Sequence, residues 1–337
     1  GGSSPIALNV NAATWQLTGT VTSSAAISKW GDGVLRLDGN NDATLSSAMT
    51  LNRGELRITG PNVAGGVSQA EGTGALRINF GTLRLAAQNI TTTNSTTTFY
   101  NSANQHITVA GRTSIVYDRN GGTPASGSGG ATIGAAGLEF RTENSPVVLF
   151  DPVSFGDHLR INSELVIRDQ PFFRTPDASL IINNVIRGNG TLTKGDSYLV
   201  TFNNNAANTG WSGGFTTLQG YSRVTQAATN FTFGTGAVRV GPTGNLSLNS
   251  LTNIAGGAVA SFSSGYTTPV VLAVSQASLF TEANLAALFP YANNTSRPGT
   301  GGIIGLDNVT TGTAINLATF QDGYWSLGTS TSLSGAT

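Results

Sequence analysis

Apolar and polar residues alternate with a period of two along most of the chain, with Gly and Asn between the alternating segments. This pattern predicts many short β-strands joined by turns. One unit recurs, in which Gly and any residue precede an aliphatic, a polar and a second aliphatic residue. Because side chains alternate across a strand, the two aliphatic residues would face a core and the polar residue solvent. The copies begin at Gly33, Gly54, Gly74, Gly81, Gly236 and Gly244, with a looser copy at Asp157.

The spacing of the first copies predicts how the strands are arranged. Leu35, Leu56 and Leu76 occupy the same place in three copies and are separated by 21 and 20 residues. A repeat of this length is typical of one coil of a β-solenoid. We therefore predict an all-β fold, a parallel β-solenoid with one short helix. A β-sandwich stays open as the alternative, because hairpin-type Asp-Gly or Asn-Gly pairs occur at 32–33, 38–39 and 120–121.

Two segments depart from the strand pattern and divide the chain. One segment, residues 120–137, is rich in Gly, Ser and Ala, and this composition predicts a surface excursion. The other predicts a short helix within residues 275–289, with Thr281 as its N-cap and Pro290 after its end. The predicted parts are a first solenoid part (1–119), the excursion (120–137), a second solenoid part (138–274), and the helix with terminal strands (275–337).

The composition fits the corners of such a coil. Gly accounts for 44 of the 337 residues, and Thr, Ser and Asn are also abundant. Gly and Asn adopt the left-handed backbone conformations that tight corners require. Asn and Thr side chains on consecutive coils can also hydrogen-bond to one another, as in amide ladders. Candidate ladders are Thr91–Thr98, Asn183–Asn184 and Asn203–Asn205.

Charge and cysteine content exclude several function classes. Charged residues make up only 10% of the chain, against about 25% in typical soluble domains, and the formal net charge is zero. A nucleic-acid binder or a polybasic membrane-surface protein would carry a basic excess, so neither partner is expected. The absence of cysteine excludes disulfide, iron–sulfur and thiolate–zinc chemistry. No apolar stretch is long enough for a membrane-spanning helix, so no membrane insertion is expected.

Four motifs follow one another in the segment 188–248. They are Gly190–Gly195 (GTLTKG), Tyr198–Asn205 (YLVTFNNN), Trp211–Gly220 (WSGGFTTLQG) and Phe233–Val240 (FGTGAVRV). Together they resemble the autotransporter-associated β-strand repeat, and residues 30–41 (WGDGVLRLDGNN) carry a weaker echo of it. The segment departs from that repeat at Trp211, where Tyr is usual, and at Asp196-Ser197, where a Gly is expected. A reshaped corner is predicted at the second departure.

The resemblance implies both an architecture and a location. Such repeats build right-handed parallel β-helices in large, secreted bacterial surface proteins, so it implies a right-handed parallel β-helix outside the cell. Residues 303–328 are also similar to segments of very long proteins of that kind. The family carries no catalytic signature, so the resemblance transfers no active-site residue.

Parallel β-helices also host polysaccharide-degrading enzymes, which need two or three carboxyl groups about 5–10 Å apart. Asp151 and Asp157, with the adjacent His158, form the best local group. Pro152 and Gly156 interrupt any regular strand between the two acids, which favours corner capping over catalysis. His158 and His106 are the only histidines, and neither lies in a metal-ligand or Ser-His-Asp pattern. We therefore predict no catalytic, metal or cofactor site.

The arginines suggest a surface stripe. Arg36, Arg57 and Arg77 are the polar residues between the aliphatic pairs of three copies and would stack on the outward face. Such a stripe would bind an anionic glycan or the carboxylates of a neighbouring subunit. The alternative is a solvated face that Asp38 and Glu55 partly neutralise.

Four aromatic residues offer a second type of surface. Trp15, Trp30, Tyr221 and Tyr266 would serve as stacking platforms for a glycan if they are exposed. The alternative is that they fill corners and the core.

Neither end of the chain contains a segment typical of a solenoid cap. Ile6, Leu8 and Val10 alternate from the start, and Leu327 and Leu333 lie in the last strands. Because exposed strand edges are normally covered, we predict that these strands pair with other β-strands. The partner would be the next copy in a head-to-tail homopolymer, or the remainder of a longer parent chain.

These patterns lead to one functional prediction and two alternatives. The prediction is a non-enzymatic extracellular structural protein, a subunit of a surface filament or surface layer that assembles through the solenoid ends. The first alternative is an adhesin or glycan-binding passenger stalk of a larger surface protein. The second is a polysaccharide-degrading β-helix enzyme.

Overall fold

The computed structural model describes residues 4–42, 44–60, 66–88, 96–102, 105–120, 130–141, 147–152, 158–176, 179–255, 261–262, 271–279, 281–288, 303–306 and 326–327. Their contacts divide the chain into two compact units, Gly1–Asn184 and Val185–Thr337. Each unit consists of strands that pair in parallel with the strands of neighbouring turns. The predicted all-β parallel β-solenoid is therefore confirmed. The β-sandwich alternative is wrong, because the hairpins of a sandwich would pair antiparallel strands.

Unit 1 stacks its strands in three rows. The strands are β1 (Ile6–Asn9), β2 (Thr14–Leu17), β3 (Ile27–Trp30), β4 (Val34–Leu37), β5 (Met49–Leu51), β6 (Glu55–Thr59), β7 (Leu76–Ile78), β8 (Gly81–Gln88), β9 (Thr96–Phe99), β10 (His106–Val109), β11 (Thr113–Asn120), β12 (Gly130–Ile133), β13 (Gly137–Phe140), β14 (Val147–Pro152), β15 (His158–Ile161), β16 (Glu164–Ile167), β17 (Phe172–Arg174) and β18 (Ser179–Ile182). The first row is β1-β3-β5-β7-β10-β13-β16, and the second is β2-β4-β6-β8-β11-β14-β17. The third row is β9-β12-β15-β18. Each turn thus adds one strand to each row it reaches.

The recurring five-residue unit marks a strand rather than a whole turn. Leu35 pairs with Leu56 in the second row as predicted, but Leu56 then pairs with Leu83. Leu76 lies in the first row, between Met49 and Ile107. The prediction failed there because one turn contains two copies of the unit, which begin at Gly74 and Gly81. Turn length also varies, from 20 residues between Thr14 and Val34 to 35 between Thr113 and Val148.

The predicted excursion at 120–137 is wrong in part. Asn120 ends β11, and β12 begins at Gly130 as a buried strand between β9 and β15. Residues 121–129 lie outside the described residues. The chain divides between Asn184 and Val185 instead.

Unit 2 is built around two long strands. Its elements are β19 (Ile186–Gly188), β20 (Leu192–Gly195), β21 (Leu199–Phe202), β22 (Phe215–Val224), β23 (Val238–Leu248), β24 (Ser261–Phe262), β25 (Val271–Val274), α1 (Glu282–Leu288), β26 (Ile303–Leu306) and β27 (Ser326–Leu327). The strand β22 pairs first with β20 and then with β21, and β23 covers most of its other edge. Beneath them Phe202, Phe215, Phe231 and Phe233 are fully buried, with ring centroids 4.9–5.2 Å apart.

The predicted helix is present but shorter than expected. A 3-10 turn covers Ala277–Leu279, and α1 follows at Glu282–Leu288. Thr281 is its N-cap, as predicted, since its Oγ1 accepts a hydrogen bond from the Asn284 amide at 3.3 Å. Within the described part of the chain, no helix has the length and apolar character that crossing a membrane requires.

Amide side chains join consecutive turns, as the composition predicts. Asn183 Nδ2 donates to Asn162 Oδ1 at 2.7 Å, and Asn203 Oδ1 accepts from Thr225 Oγ1 at 2.8 Å. The buried Asn41 bridges two turns, because its Oδ1 accepts from the Val21 amide and its Nδ2 donates to a carbonyl of the next turn. In the Thr-rich candidate ladder, positions 91–95 lie outside the described residues.

Candidate functional site

The first turn of unit 1 exposes residues that the next turn buries. Ile6 and Trp15 occupy inward positions of β1 and β2, yet 41% and 47% of their surfaces are exposed. Their register partners Ile27 and Leu35 are only 5% and 1% exposed. The difference arises because the inward residues of later turns are covered on both sides, whereas those of the first turn are covered on one. We call β1 and β2, with these inward residues, the open turn.

The outer edge of β1 has no strand partner among the described residues. The amides of Ile6 and Val10 donate to Ala26 and Trp30 carbonyls at 2.8 and 2.9 Å. In a parallel pair, hydrogen bonding alternates along the strand, so the amides of Ala7 and Asn9 point away from β3. Among the described residues β3 is the strand partner of β1, at the end of its row. This edge has the geometry that accepts an added β-strand.

The predicted end-pairing residues are not equivalent. Ile6 and the partly buried Leu8 belong to the open turn, but Val10 is 0% exposed and cannot contact another chain. At the other end, Leu327 lies in β27 and pairs with Ile304 of β26. Leu333 lies outside the described residues.

A buried lysine holds the corner next to the open turn. Lys29 is 0% exposed, and its Nζ donates to the carbonyls of Gly31 and Gly33 at 2.5 Å and of Arg53 at 2.8 Å. Burial lowers the pKa of Lys29, although the carboxylates of Asp32 and Glu55 oppose this effect. The ammonium group thereby ties two consecutive turns together.

Lys194 repeats this arrangement in unit 2. Its Nζ donates to the carbonyls of Asp196 and Gln219 at 2.6 and 2.5 Å, and burial lowers its pKa to about 8 despite the nearby Asp196. Asp196 has a φ of 62°, the left-handed conformation that Gly adopts most easily. The Asp196-Ser197 departure from the repeat is therefore accommodated by a strained residue at that position. Trp211, the other departure, is 0% exposed, and its Nε1 donates to the Gly190 carbonyl at 2.8 Å.

The predicted arginine stripe has a different third member. Arg36, Arg57 and Arg84 are register partners in the second row, whereas Arg77 lies in the first row beside Thr50 and Thr108. The prediction of Arg77 failed for the same reason as that of Leu76. We call Arg36, Arg57 and Arg84 the arginine column.

Carboxylates of the same unit neutralise the arginine column. Arg36 pairs with Asp38 at 2.7 Å, and Arg84 pairs with Glu55 at 2.8 Å. Asp118 lies between Arg84 and Arg57, at 3.3 and 3.6 Å. This arrangement matches the alternative of a neutralised face, and it adds Asp118 to the predicted acids Asp38 and Glu55.

A buried acid that the sequence did not indicate lies beside a small cavity. Glu71 is 6% exposed; its Oε2 accepts from Ser68 Oγ and its Oε1 from the Tyr100 amide, both at 2.5 Å. Burial raises the pKa of Glu71 to about 7, and the nearby Asp42 adds to the effect. Asp42, Ser68 and Gln105 also line the cavity, whose volume is about 90 Å³. Across the described residues, no group of three or more His, Cys, Asp and Glu side chains has the arrangement of a metal site.

The predicted acid group around His158 is only partly described. His158 begins β15 and is half-buried; burial and the neighbouring Arg160 lower its pKa. Asp151 lies near the end of β14, while Asp157 lies outside the described residues. His106, in β10, is exposed and on a different row. Nothing among the described contacts joins these residues into one site.

The four candidate aromatic residues occupy different environments. Trp15 belongs to the open turn, and Trp30, at an outward position of β3, is 50% exposed. Tyr221 is half-buried in β22, where the Arg223 guanidinium lies 5.4 Å from its ring centroid. Tyr266 lies outside the described residues. Trp30 borders a concavity that is formed by the corner after β3.

Comparisons with known proteins leave the family unassigned. No family model matches the chain, and neither a curated protein nor a solved structure matches it. The resemblance to the autotransporter-associated β-strand repeat therefore stays a prediction.

Proposed function

We propose that the chain is a non-enzymatic structural protein, a β-solenoid rod or stalk, whose copies associate head to tail through the open turn. The observation that carries this proposal is the exposure of Ile6 and Trp15 at positions that are buried one turn later. An incoming parallel strand would bury both side chains and pair the outward amides of β1. A contact of this kind does not close on itself, so it generates fibres.

Two further features support association and a surface location. The formal net charge of zero leaves little long-range repulsion between copies. The resemblance to the autotransporter-associated repeat supports a location outside the cell.

The test compares the wild-type chain with Ala7→Pro, a variant that changes only the outer edge of β1. In Ala7→Pro the amide that points away from β3 is lost, and Pro is tolerated in edge strands at such positions. Ala7→Thr keeps the amide and is the matched control. We expect the wild type and Ala7→Thr to form linear assemblies as concentration rises, seen by light scattering and electron microscopy. Ala7→Pro should raise the concentration needed at least about tenfold.

The same experiment defines how the proposal fails. Unchanged urea unfolding of Ala7→Pro shows that the variant is folded. If the folded variant assembles as readily as the wild type, the outer edge of β1 is not the contact. If all three proteins stay monomeric at every concentration, head-to-tail association of copies is wrong.

A further inference from the structure

A concavity of about 540 Å³ lies at the corner between the first and second rows of unit 1. Its volume falls in the range of about 300–1,000 Å³ that is typical of small-molecule sites. Three consecutive turns contribute the lining residues. They are Asn9, Asn11, Trp30, Asp32, Asn52 and Arg53. We propose that this concavity binds a neutral, hydroxyl-rich saccharide.

Trp30 supplies the apolar surface of the proposed site. The side chain points outward from β3, unlike Trp15, whose exposure results from the open turn. Its neighbours on the adjacent turns are Asn9 and Asn52. Asn9 is its register partner in β1, and the backbone amide of Asn52 donates to the Lys29 carbonyl. A half-exposed indole between two carboxamides combines a flat apolar face with polar groups at its sides. This combination matches a sugar ring, which has apolar C–H faces and hydroxyl groups around its edge.

The asparagines supply hydrogen-bonding groups that suit hydroxyls. Each carboxamide offers both donors and an acceptor, as a hydroxyl group does. Asn52 is held in place, since its Oδ1 accepts from Asn79 Nδ2 at 2.8 Å. Asn11 lies against Gly31, since its Oδ1 would be only 2.6 Å from a Cβ at that position. Gly31, with a φ of 77°, therefore leaves the room that Asn11 occupies.

The charges of the lining favour a neutral ligand. Asp32 and Arg53 form an ion pair with each other, so the concavity carries no net charge from these two side chains. An acidic glycan or a nucleic acid would instead select a basic surface with unneutralised Arg or Lys side chains. The proposed ligand is thus neutral, whereas the glycan predicted to bind the arginine stripe is anionic.

The test measures binding of neutral hexasaccharides of glucose, mannose and N-acetylglucosamine to the full chain, by isothermal titration calorimetry and tryptophan fluorescence. A galacturonic acid hexasaccharide is the acidic comparison. We expect at least one neutral hexasaccharide to bind, and Trp30→Ala to weaken that binding about tenfold or more. Phe80→Ala is the control: it removes an aromatic side chain that is 50% exposed, as Trp30 is, but that lies outside the concavity and the open turn, and it should leave the affinity unchanged.

Each remaining outcome overturns the proposal. It is wrong if none of the neutral hexasaccharides binds, if the acidic hexasaccharide binds more tightly, or if Trp30→Ala binds like the wild type. Ala7→Pro should bind the saccharide like the wild type, because Ala7 does not line the concavity. Saccharide binding and assembly can therefore fail independently of each other.

Discussion

At the scale of single residues, Glu71 makes the stability of the fold depend on pH. The side chain ionises near its ordinary pKa of 4.5 in the unfolded chain and near 7 in the folded chain, where burial and the charge of Asp42 disfavour the anion. The buried Tyr100 and Ser68 also face it, and both donate hydrogen bonds to its carboxyl oxygens, from the Tyr100 amide and the Ser68 hydroxyl. Between pH 4.5 and 7 the folded chain keeps the proton that the unfolded chain has released. Rising pH therefore favours unfolding over this interval.

Glu71→Gln should remove this dependence. Relative to the variant, the wild type should lose on the order of 3 kcal/mol of unfolding free energy as pH rises from 4.5 to above 7, because a difference of one pKa unit corresponds to about 1.4 kcal/mol. Urea unfolding at a series of pH values measures the difference. Parallel pH profiles for the wild type and Glu71→Gln would contradict the assignment.

At the scale of strands, the arginine column shows how a stacked row tolerates repeated charge. Like charges on consecutive strands repel one another, but Glu55 and Asp118 stand among the guanidinium groups of the column. Arg84 has the most contacts with these acids and is about three-quarters buried. Arg77, on the first row, is exposed and donates to Asn79 Oδ1. The two arginines occupy the same place in the five-residue unit but have different partners.

Arg84→Ala should therefore destabilise the chain more than Arg77→Ala. We expect Arg84→Ala to lower the unfolding free energy by about 1 kcal/mol in low salt and by less in high salt, since salt screens part of the attraction. Arg77→Ala should change it by less than about 0.5 kcal/mol. Urea unfolding at two salt concentrations gives both values. Equal losses for the two variants would show that the acids contribute nothing measurable.

The same strands show what the sequence can predict and what it cannot. The stacking of Leu35 on Leu56 was predictable, because both inward positions lie in turns of similar length. The row of Leu76 was not, because the same unit occurs at β7 in the first row and at β8 in the second. The unit therefore carries no information on which row a strand joins. The contact of Glu71 with Tyr100, 29 residues later, depends on the lengths of the corners that connect the strands. Side-chain alternation does not determine those lengths.

At the scale of the whole stack, unit 1 is a series of turns in which each turn contacts its neighbours. Stability in such an array is approximately a sum over turns and the interfaces between them. In the described part of the chain, the open turn pairs with strands on one side, whereas the turn that contains β10 has strands on both sides, β7 and β13. The open turn is therefore expected to separate from the stack before the interior turns unfold.

Hydrogen exchange should reveal this gradient. Under dilute conditions the amides of Ala7 and Asn9 should exchange almost without protection, while those of β10 exchange only through global unfolding. Mass spectrometry of peptides from both strands measures the difference. If assembly occurs through β1, protection of Ala7 and Asn9 should rise with concentration in the wild type. Equal protection of β1 and β10 at low concentration would contradict the expected gradient.

The buried ammonium groups at the corners have a consequence for the chemistry of the surface. Lys29 and Lys194 are the only lysines in the chain, and their side chains are 0% and 1% exposed. Reagents that acylate, glycate or cross-link side-chain amines need access to a free Nζ, which the folded chain does not offer at either position. Both lysines should therefore resist acylation, glycation and lysine-directed proteases for as long as these corners stay folded.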